Sequence, residues 1–285
     1  MKNENFVLTL ENNESPIIIT VPHGGMPNRY ASWLDPFFQK RIKSDNPSEN
    51  LITGEKIVVG SDGQIMHIVA DILKEYPANA IIGLLPRSFV DYNRFVPEVA
   101  YTDQKIKPFY GAYHNAIIET IERLKKNKKI IFLFDFHGFG KQPIDGMEFD
   151  VIIGTDGKTS PLKTDKFLYD YFGDKYKVFC AGMKGLPKNE SESYRGNTTN
   201  LWYYLKYKNI LDSMLIEISP KFRSSKGENS KENGIQIARD FASYFKKVDE
   251  EAGLMEEDIE ANDMFYHSLW SYHKNIFGEK ISSEI

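Results

Sequence analysis

Hydrophobic positions along the chain follow two alternating rhythms. Short runs rich in β-branched and aromatic residues predict strands at Phe6–Leu10, Ile17–Val21, Ala80–Leu85, Ile130–Phe134, Asp150–Ile153, Lys177–Ala181 and Ser213–Ile218. Between them, Ile65–Tyr76, Lys107–Lys126, Pro161–Phe172, Thr198–Lys206 and Lys231–Lys247 carry apolar residues at a spacing near 3.6, which predicts helices. Several strands are apolar almost throughout, as expected where helices cover both faces of a sheet. Strands alternating with helices imply an α/β sandwich on a mostly parallel sheet. No linker, repeat or low-complexity tract interrupts residues 5 to 248, so one domain is the economical reading. The composition changes in residues 249–285, first acidic (EEAGLMEEDIEANDM) and then aromatic (MFYHSLWSYHKNIFGEK). That segment is expected to be a C-terminal helical appendage, lying on the domain or on a second subunit in a homo-oligomer. His267 and His273 within it read as surface or packing residues.

Composition narrows the function. Lys+Arg 36 against Asp+Glu 40 leave a net charge of −4, so there is no basic footprint for nucleic acid. The longest apolar runs are strand-sized, far short of the roughly 20 residues a membrane helix needs. The N-terminal MKNENFVLTLENNES has neither the apolar core nor the cleavage site of a signal peptide, so a cytoplasmic protein is expected. The single cysteine, Cys180, excludes an internal disulfide and any cysteine-based zinc finger. On its apolar strand it reads as buried and inert. A metal would have to be held by carboxylates and the six histidines.

In parallel α/β sheets ligands bind at the carboxyl ends of strands, and four predicted strands end in reactive residues. Ile17–Val21 runs into Pro22-His23-Gly24-Gly25, where two glycines free the backbone to turn beside a histidine. Taken alone, that reads equally as a turn with a hydrogen-bonded histidine. Ile130–Phe134 runs into Asp135-Phe136-His137-Gly138. Residues two apart in a strand share a face, so Asp135 can orient His137 or support it from behind; a buried pair serving stability is the competing reading. Ala80–Leu85 leads to Arg87, Asp91, Asn93 and Arg94. Guanidinium groups grip carboxylates bidentately, and Asp91 can hold an arginine in place; the bland reading is a solvated charge cluster. Ser213–Ile218 embeds Glu217 between Ile216 and Ile218. A carboxylate there is costly unless it is paired or used, and burial moves its pKa toward that of a general base. A structural salt bridge is the alternative. Two histidines and a carboxylate with an open fourth position make a catalytic zinc site. His23 and His137 are far apart in sequence, so such a site would be assembled by the fold.

PHGG at 22–25, RSFVDYNR at 87–94, YH at 113–114, DFHG at 135–138, RGNTT at 195–199 and IEIS at 216–219 occur in the order seen in N-formylglutamate amidohydrolases. The chain resembles that family over residues 15 to 245. It resembles, more distantly, zinc carboxypeptidases and aspartoacylase-like amidohydrolases. The resemblance implies a catalytic domain over residues 1–248 of the zinc-carboxypeptidase, phosphorylase/hydrolase-like type: a three-layer α/β/α fold with a twisted mixed sheet. It implies one Zn2+ on His23 and His137, with Glu217 placed like the carboxypeptidase general base. Asn93 and Arg94 match the pair that holds a substrate carboxylate, and Arg87 a second clamp or polariser of the scissile carbonyl. Asp91 and Asp135 stand behind these groups. Arg195, Gly196, Thr198 and Thr199 fall in the loop that closes the substrate pocket. His114 matches a family histidine, with its role open between the substrate site and helix packing.

Carboxypeptidases place a glutamate ligand three residues after the first histidine, where this chain has Met26. The formylglutamate branch also lacks it, and Asp62, ahead of the helix Ile65–Tyr76, is the candidate replacement; otherwise Asp135 or solvent completes the shell. The implied activity is zinc-dependent hydrolysis of a small anionic N-acyl amino acid, such as N-formyl-L-glutamate to formate and glutamate. Rival readings are a carboxypeptidase or another acyl-amino-acid deacylase, and a carboxylate-binding homologue without chemistry. KGENSKENG at 226–234 reads as a lid or a plain loop.

Overall fold

The computed structural model describes residues 2–4, 6–24, 62, 65–87, 90–94, 100–101, 106–140, 142–143, 146–181, 194–196, 199–223 and 230–255. Thr198, Met26, His267, His273 and residues 226–229 lie outside the described residues, while Ser230–Gly234, read as part of a lid or loop, open a helix instead.

Eight strands form one sheet: β1 (Lys2–Glu4), β2 (Val7–Leu10), β3 (Ile17–Val21), β4 (Asn79–Gly83), β5 (Ile131–Gly138), β6 (Val151–Gly154), β7 (Val178–Ala181) and β8 (Leu211–Ile218). Their order is β1-β2-β4-β3-β5-β8-β6-β7. The central strands β4, β3, β5 and β8 run parallel, while β2 joins β4, and β6 joins β8, in antiparallel fashion. The sheet is therefore mixed, with its parallel part at the centre. β3, β4 and β8 are buried along their whole length, as expected of strands covered on both faces.

Among the described residues six helices flank the sheet: α1 (Ile65–Glu75), α2 (Lys107–Leu124), α3 (Thr164–Gly173), α4 (Thr199–Lys206), α5 (Pro220–Arg223) and α6 (Ser230–Met255). Side-chain alternation sorts the core into two layers. Phe132, Phe134 and Phe136 of β5 face α1, α3 and α6, where Phe241 and Phe245 pack on them. Ile131 and Leu133 face the opposite way, toward α2 and α4. Fully burying such a side chain contributes roughly 1.5–3 kcal/mol, which is why the longer helices present an apolar stripe, such as Ile65, Ile68, Val69 and Ile72 on α1.

The structure adds detail at element ends. β5 continues past Phe134 because it keeps pairing with β8 as far as Gly138↔Ile218, so Asp135 and His137 lie inside the strand. β1 and the single-turn α5 are too short and polar to show a period. α6 runs unbroken across positions 248 and 249: Val248 and Ala252 continue the buried stripe of Phe241 and Phe245.

β8 begins at Leu211, carrying a buried carboxyl, Asp212, into the core. It accepts from Ser160 Oγ and Leu162 N at 3.1 Å each and from Thr164 Oγ1. Burial nonetheless pushes its pKa up to about 7. The folded protein thus holds this proton to higher pH than the unfolded chain does. The associated stability is fully present below about 4, the unfolded carboxyl range, and is lost as pH rises through about 7. Denaturant titrations from pH 4 to 8 should show stability falling with pH, with a smaller slope in Asp212→Asn; an unchanged slope would rule out Asp212 as its source.

Candidate metal centre

The four strands that end in reactive residues are the four contiguous parallel strands, so their carboxyl ends share one edge. His23 follows β3 by two residues. There the chain runs hard against β4: a Cβ on Gly24 would lie 2.7 Å from Ile82 Cγ2 and 3.1 Å from the Gly83 carbonyl oxygen. On β5, Asp135 and His137 continue the face of Ile131 and Leu133. Glu217 is the Cα partner of His137 on β8, and so stands beside it on that face. Asp62 arrives from the segment just ahead of α1.

These side chains converge. Asp62 Oδ2 lies 2.9 Å from Nδ1 of His23 and 2.9 Å from Nδ1 of His137. Each imidazole meets its own carboxylate on the far side: His23 Nε2 lies 2.8 Å from Asp91 Oδ1, and His137 Nε2 lies 2.9 Å from Asp135 Oδ2. All five residues are buried.

A carboxylate only accepts hydrogen bonds, so both Nε2 atoms carry hydrogen. In a neutral ring, Nδ1 then presents a lone pair. Two such lone pairs and a carboxylate oxygen at 2.9 Å would repel one another; protons or a cation must lie between them. The electrostatics agree. Burial alone would lower the pKa of each histidine, but Asp62 and Asp91 raise that of His23, and Asp135 and Asp62 raise that of His137 well above the ordinary value. Burial likewise opposes ionisation of Asp62, yet the two histidines hold it well below the ordinary carboxylate range. His23, Asp62 and His137 offer ligand atoms all within 4.8 Å of one another, the one such group among the described residues. Two nitrogens and an oxygen, each ring backed by a carboxylate, fit a catalytic zinc ion with open coordination positions.

Glu217 is the second anomaly. Its Oε2 is buried and has no hydrogen-bond partner among the described residues. Burial, helped by the charge of Asp62 and opposed by His137, His23 and Arg87, pushes its pKa up to about 7. A carboxyl left unsatisfied beside a cluster of titratable groups has the features of a proton-transfer residue.

Asp91 joins the centre to the arginines. Its Oδ1 accepts from His23 Nε2 and from the Asn93 backbone N–H at 3.0 Å. Its Oδ2 accepts from Arg87 Nε at 3.0 Å and Nη2 at 2.9 Å, with Arg94 Nε at 3.7 Å. Against the effect of burial, His23 and both guanidiniums hold Asp91 well below the usual carboxylate range. Arg87 is largely enclosed, its side chain 16% exposed and Nη1 3.9 Å from Asp62 Oδ1. Arg94 is 40% exposed, at the rim. Asn93 stands beside the His137 ring, its amide nitrogen 3.4 Å from Nε2, and its carbonyl oxygen accepts from Thr199 Oγ1 at 2.7 Å.

The remaining sequence candidates lie elsewhere. Arg195 pairs with Asp156 at 3.7 Å, and Gly196, with φ +66°, packs its backbone against Gly154. His114 is buried in a tyrosine cluster, Nδ1 2.5 Å from the Tyr203 hydroxyl, and burial lowers its pKa to about 4. Sequence reasoning missed the support of Asp135. Thr20 Oγ1 donates to its Oδ1 at 2.6 Å, the Asn200 amide lies 3.4 Å from Oδ2, and Ser213 Oγ donates to Asn200 at 2.9 Å. The available signal was Thr20, the one polar residue in the apolar strand IIITV.

The fold and the cluster at the carboxyl edge of its sheet define an α/β protein with a candidate metal centre. The fold matches the solved N-formylglutamate amidohydrolase from Ralstonia eutropha JMP134 with a TM-score of 0.56 at 16% identity, over 86% of this chain and 97% of that one. It matches the gene product Atu2144 from Agrobacterium tumefaciens with a TM-score of 0.56 at 14% identity, over 85% and 93% of the two chains. No protein-family model matches the chain, and no curated protein matches its sequence. Among the described residues no helix is long and apolar enough to cross a membrane.

If each far-side carboxylate orients a ligand ring, Asp135→Asn and Asp91→Asn should each weaken zinc binding about 10–100-fold. Chelator competition measures this, with circular dichroism reporting the fold. Parent-like affinity in both variants would leave the two aspartates without that role.

Proposed function

We propose that the protein is a zinc-dependent amidohydrolase of the N-formylglutamate amidohydrolase family, cleaving the amide of a small anionic N-acyl amino acid such as N-formyl-L-glutamate to formate and glutamate. The observation that carries this reading is the meeting of two Nδ1 atoms and one carboxylate oxygen beside an unsatisfied glutamate. His23, Asp62 and His137 are the residues that would hold the ion. When bound, zinc supplies Lewis acidity toward the attacking water and the scissile carbonyl.

The chain's own groups divide the remaining work. Glu217 takes a proton from the attacking water and returns it to the leaving nitrogen, a role suited to a carboxyl poised at about 7. Arg87, fixed by Asp91 on two of its nitrogens, presents Nη1 toward the ligand carboxylate. There it stabilises charge developing on the scissile oxygen, for which one donor is often worth about 3–4 kcal/mol. Arg94 and Asn93 anchor a substrate carboxylate at the rim and hold the amide in reach. Thr199 keeps Asn93 oriented, and the family resemblance assigns Arg195, Gly196 and Thr198 to closing over the substrate. His114, neutral and tied to Tyr203, supports the wall behind Asn93. A carboxylate-binding protein without chemistry has no use for a buried, unsatisfied Glu217, which costs stability. We place the enzyme in the cytoplasm; of the segment 249–285 expected to lie on the domain or a second subunit, residues 256–285 are outside the described residues.

Two measurements test the assignment. Zinc-loaded protein should release formate from N-formylglutamate, and chelation should abolish this; full turnover without metal would contradict the proposal. Glu217→Gln should keep its zinc and lose turnover by about 10²–10⁴-fold, whereas near-parent turnover would remove Glu217 from proton transfer.

A further inference from the structure

His23, His137 and Glu217 are carried by β3, β5 and β8, but Asp62 is delivered by no strand. Its backbone is held by Arg223, a residue that none of the sequence motifs contains. After β8, Pro220 starts the single turn of α5, and the Arg223 side chain folds back over the strand end. Nε donates to the Ile218 carbonyl at 2.9 Å, Nη1 to the Asp62 carbonyl at 2.6 Å and Nη2 to the Phe139 carbonyl at 2.5 Å. One planar group thus ties the residue after Glu217, a residue two beyond His137, and Asp62 itself. A guanidinium can hold three carbonyls at fixed angles, as an ammonium cannot. The grip explains a glycine too. A Cβ at Gly138 would stand 2.5 Å from Arg223 Cζ and 2.6 Å from the Asp62 carbonyl oxygen, so the guanidinium lies where a side chain would be. Aspartate has a short side chain, and a shift of its backbone moves its carboxylate almost equally.

We propose that Arg223, seated on Gly138, is the positioning residue that sets the Asp62 carboxylate opposite the two histidines. The proposal rests on the reading of Asp62 as a metal ligand. The test compares zinc affinity, by chelator competition, and the visible spectrum of the cobalt-substituted protein across the parent, Arg223→Lys, Gly138→Ala, Asp62→Ala and the double variant Asp62→Ala/Arg223→Lys. Arg223→Lys keeps the charge but loses the three-way grip. Gly138→Ala keeps every donor and displaces the guanidinium together with the Asp62 carbonyl that it holds. Each should weaken zinc binding about 10–100-fold and change the cobalt spectrum as a carboxylate leaves the ion. In the Asp62→Ala background the lysine substitution should cost nothing further. Parent-like affinity in either single variant, or an equal loss in the Asp62→Ala background, overturns the proposal. A parent protein that takes up no zinc defeats the metal assignment itself, a result read before any variant is made.

Discussion

Three carboxylates, Asp62, Asp91 and Asp135, are buried around two imidazoles, and the cost of keeping that charge from water sets terms for everything nearby. Asp91 and Asp135 occupy the far nitrogens, so the near nitrogens face Asp62 with nothing else to bond. Two protons on the rings, or one divalent cation between them, meet the same demand. A cation able to displace those protons would meet the demand in one step, since metal ligands bind in their deprotonated form.

Placing these groups at 2.8–2.9 Å from one another requires rigid supports from distant parts of the chain. The sheet supplies most of them. β3, β5 and β8 are adjacent and parallel, so His23, His137 and Glu217 emerge at one edge, with two faces of apolar core beneath them. Asp91 then extends the order outward, because the carboxylate that orients His23 also clamps Arg87. His23, Arg87 and Arg94, proposed as metal ligand, oxyanion donor and substrate arginine, are therefore positioned by one network.

Much of this was legible in the sequence, for identifiable reasons. Strands such as IIITV and FVLTL, and the α1 stripe, are set by burial, and burial is written in residue type. His23, Asp135, His137 and Glu217 stood out because polar residues at the ends of apolar runs are expensive. The reach of Asp62 to both histidines was a matter of resemblance alone, since it comes from outside the sheet. The supports of the site were silent: Asn200 and Ser213 are ordinary polar residues until the fold places them behind Asp135. Arg223 is one basic residue in PKFR, and its three acceptors are backbone carbonyls, which carry no sequence signal. The end of α6 was misread for a related reason, because the charges after Val248 concealed Ala252, which continues the buried stripe.

His23 Nδ1, His137 Nδ1 and the Asp62 carboxylate are proposed to share one divalent cation. Anomalous diffraction at the zinc edge, from crystals grown with zinc, locates that ion. One strong peak is expected, bonded to those three groups, with Nε2 of each histidine still on Asp91 and Asp135. A peak bound through either Nε2, or no peak within reach of Asp62, would contradict it.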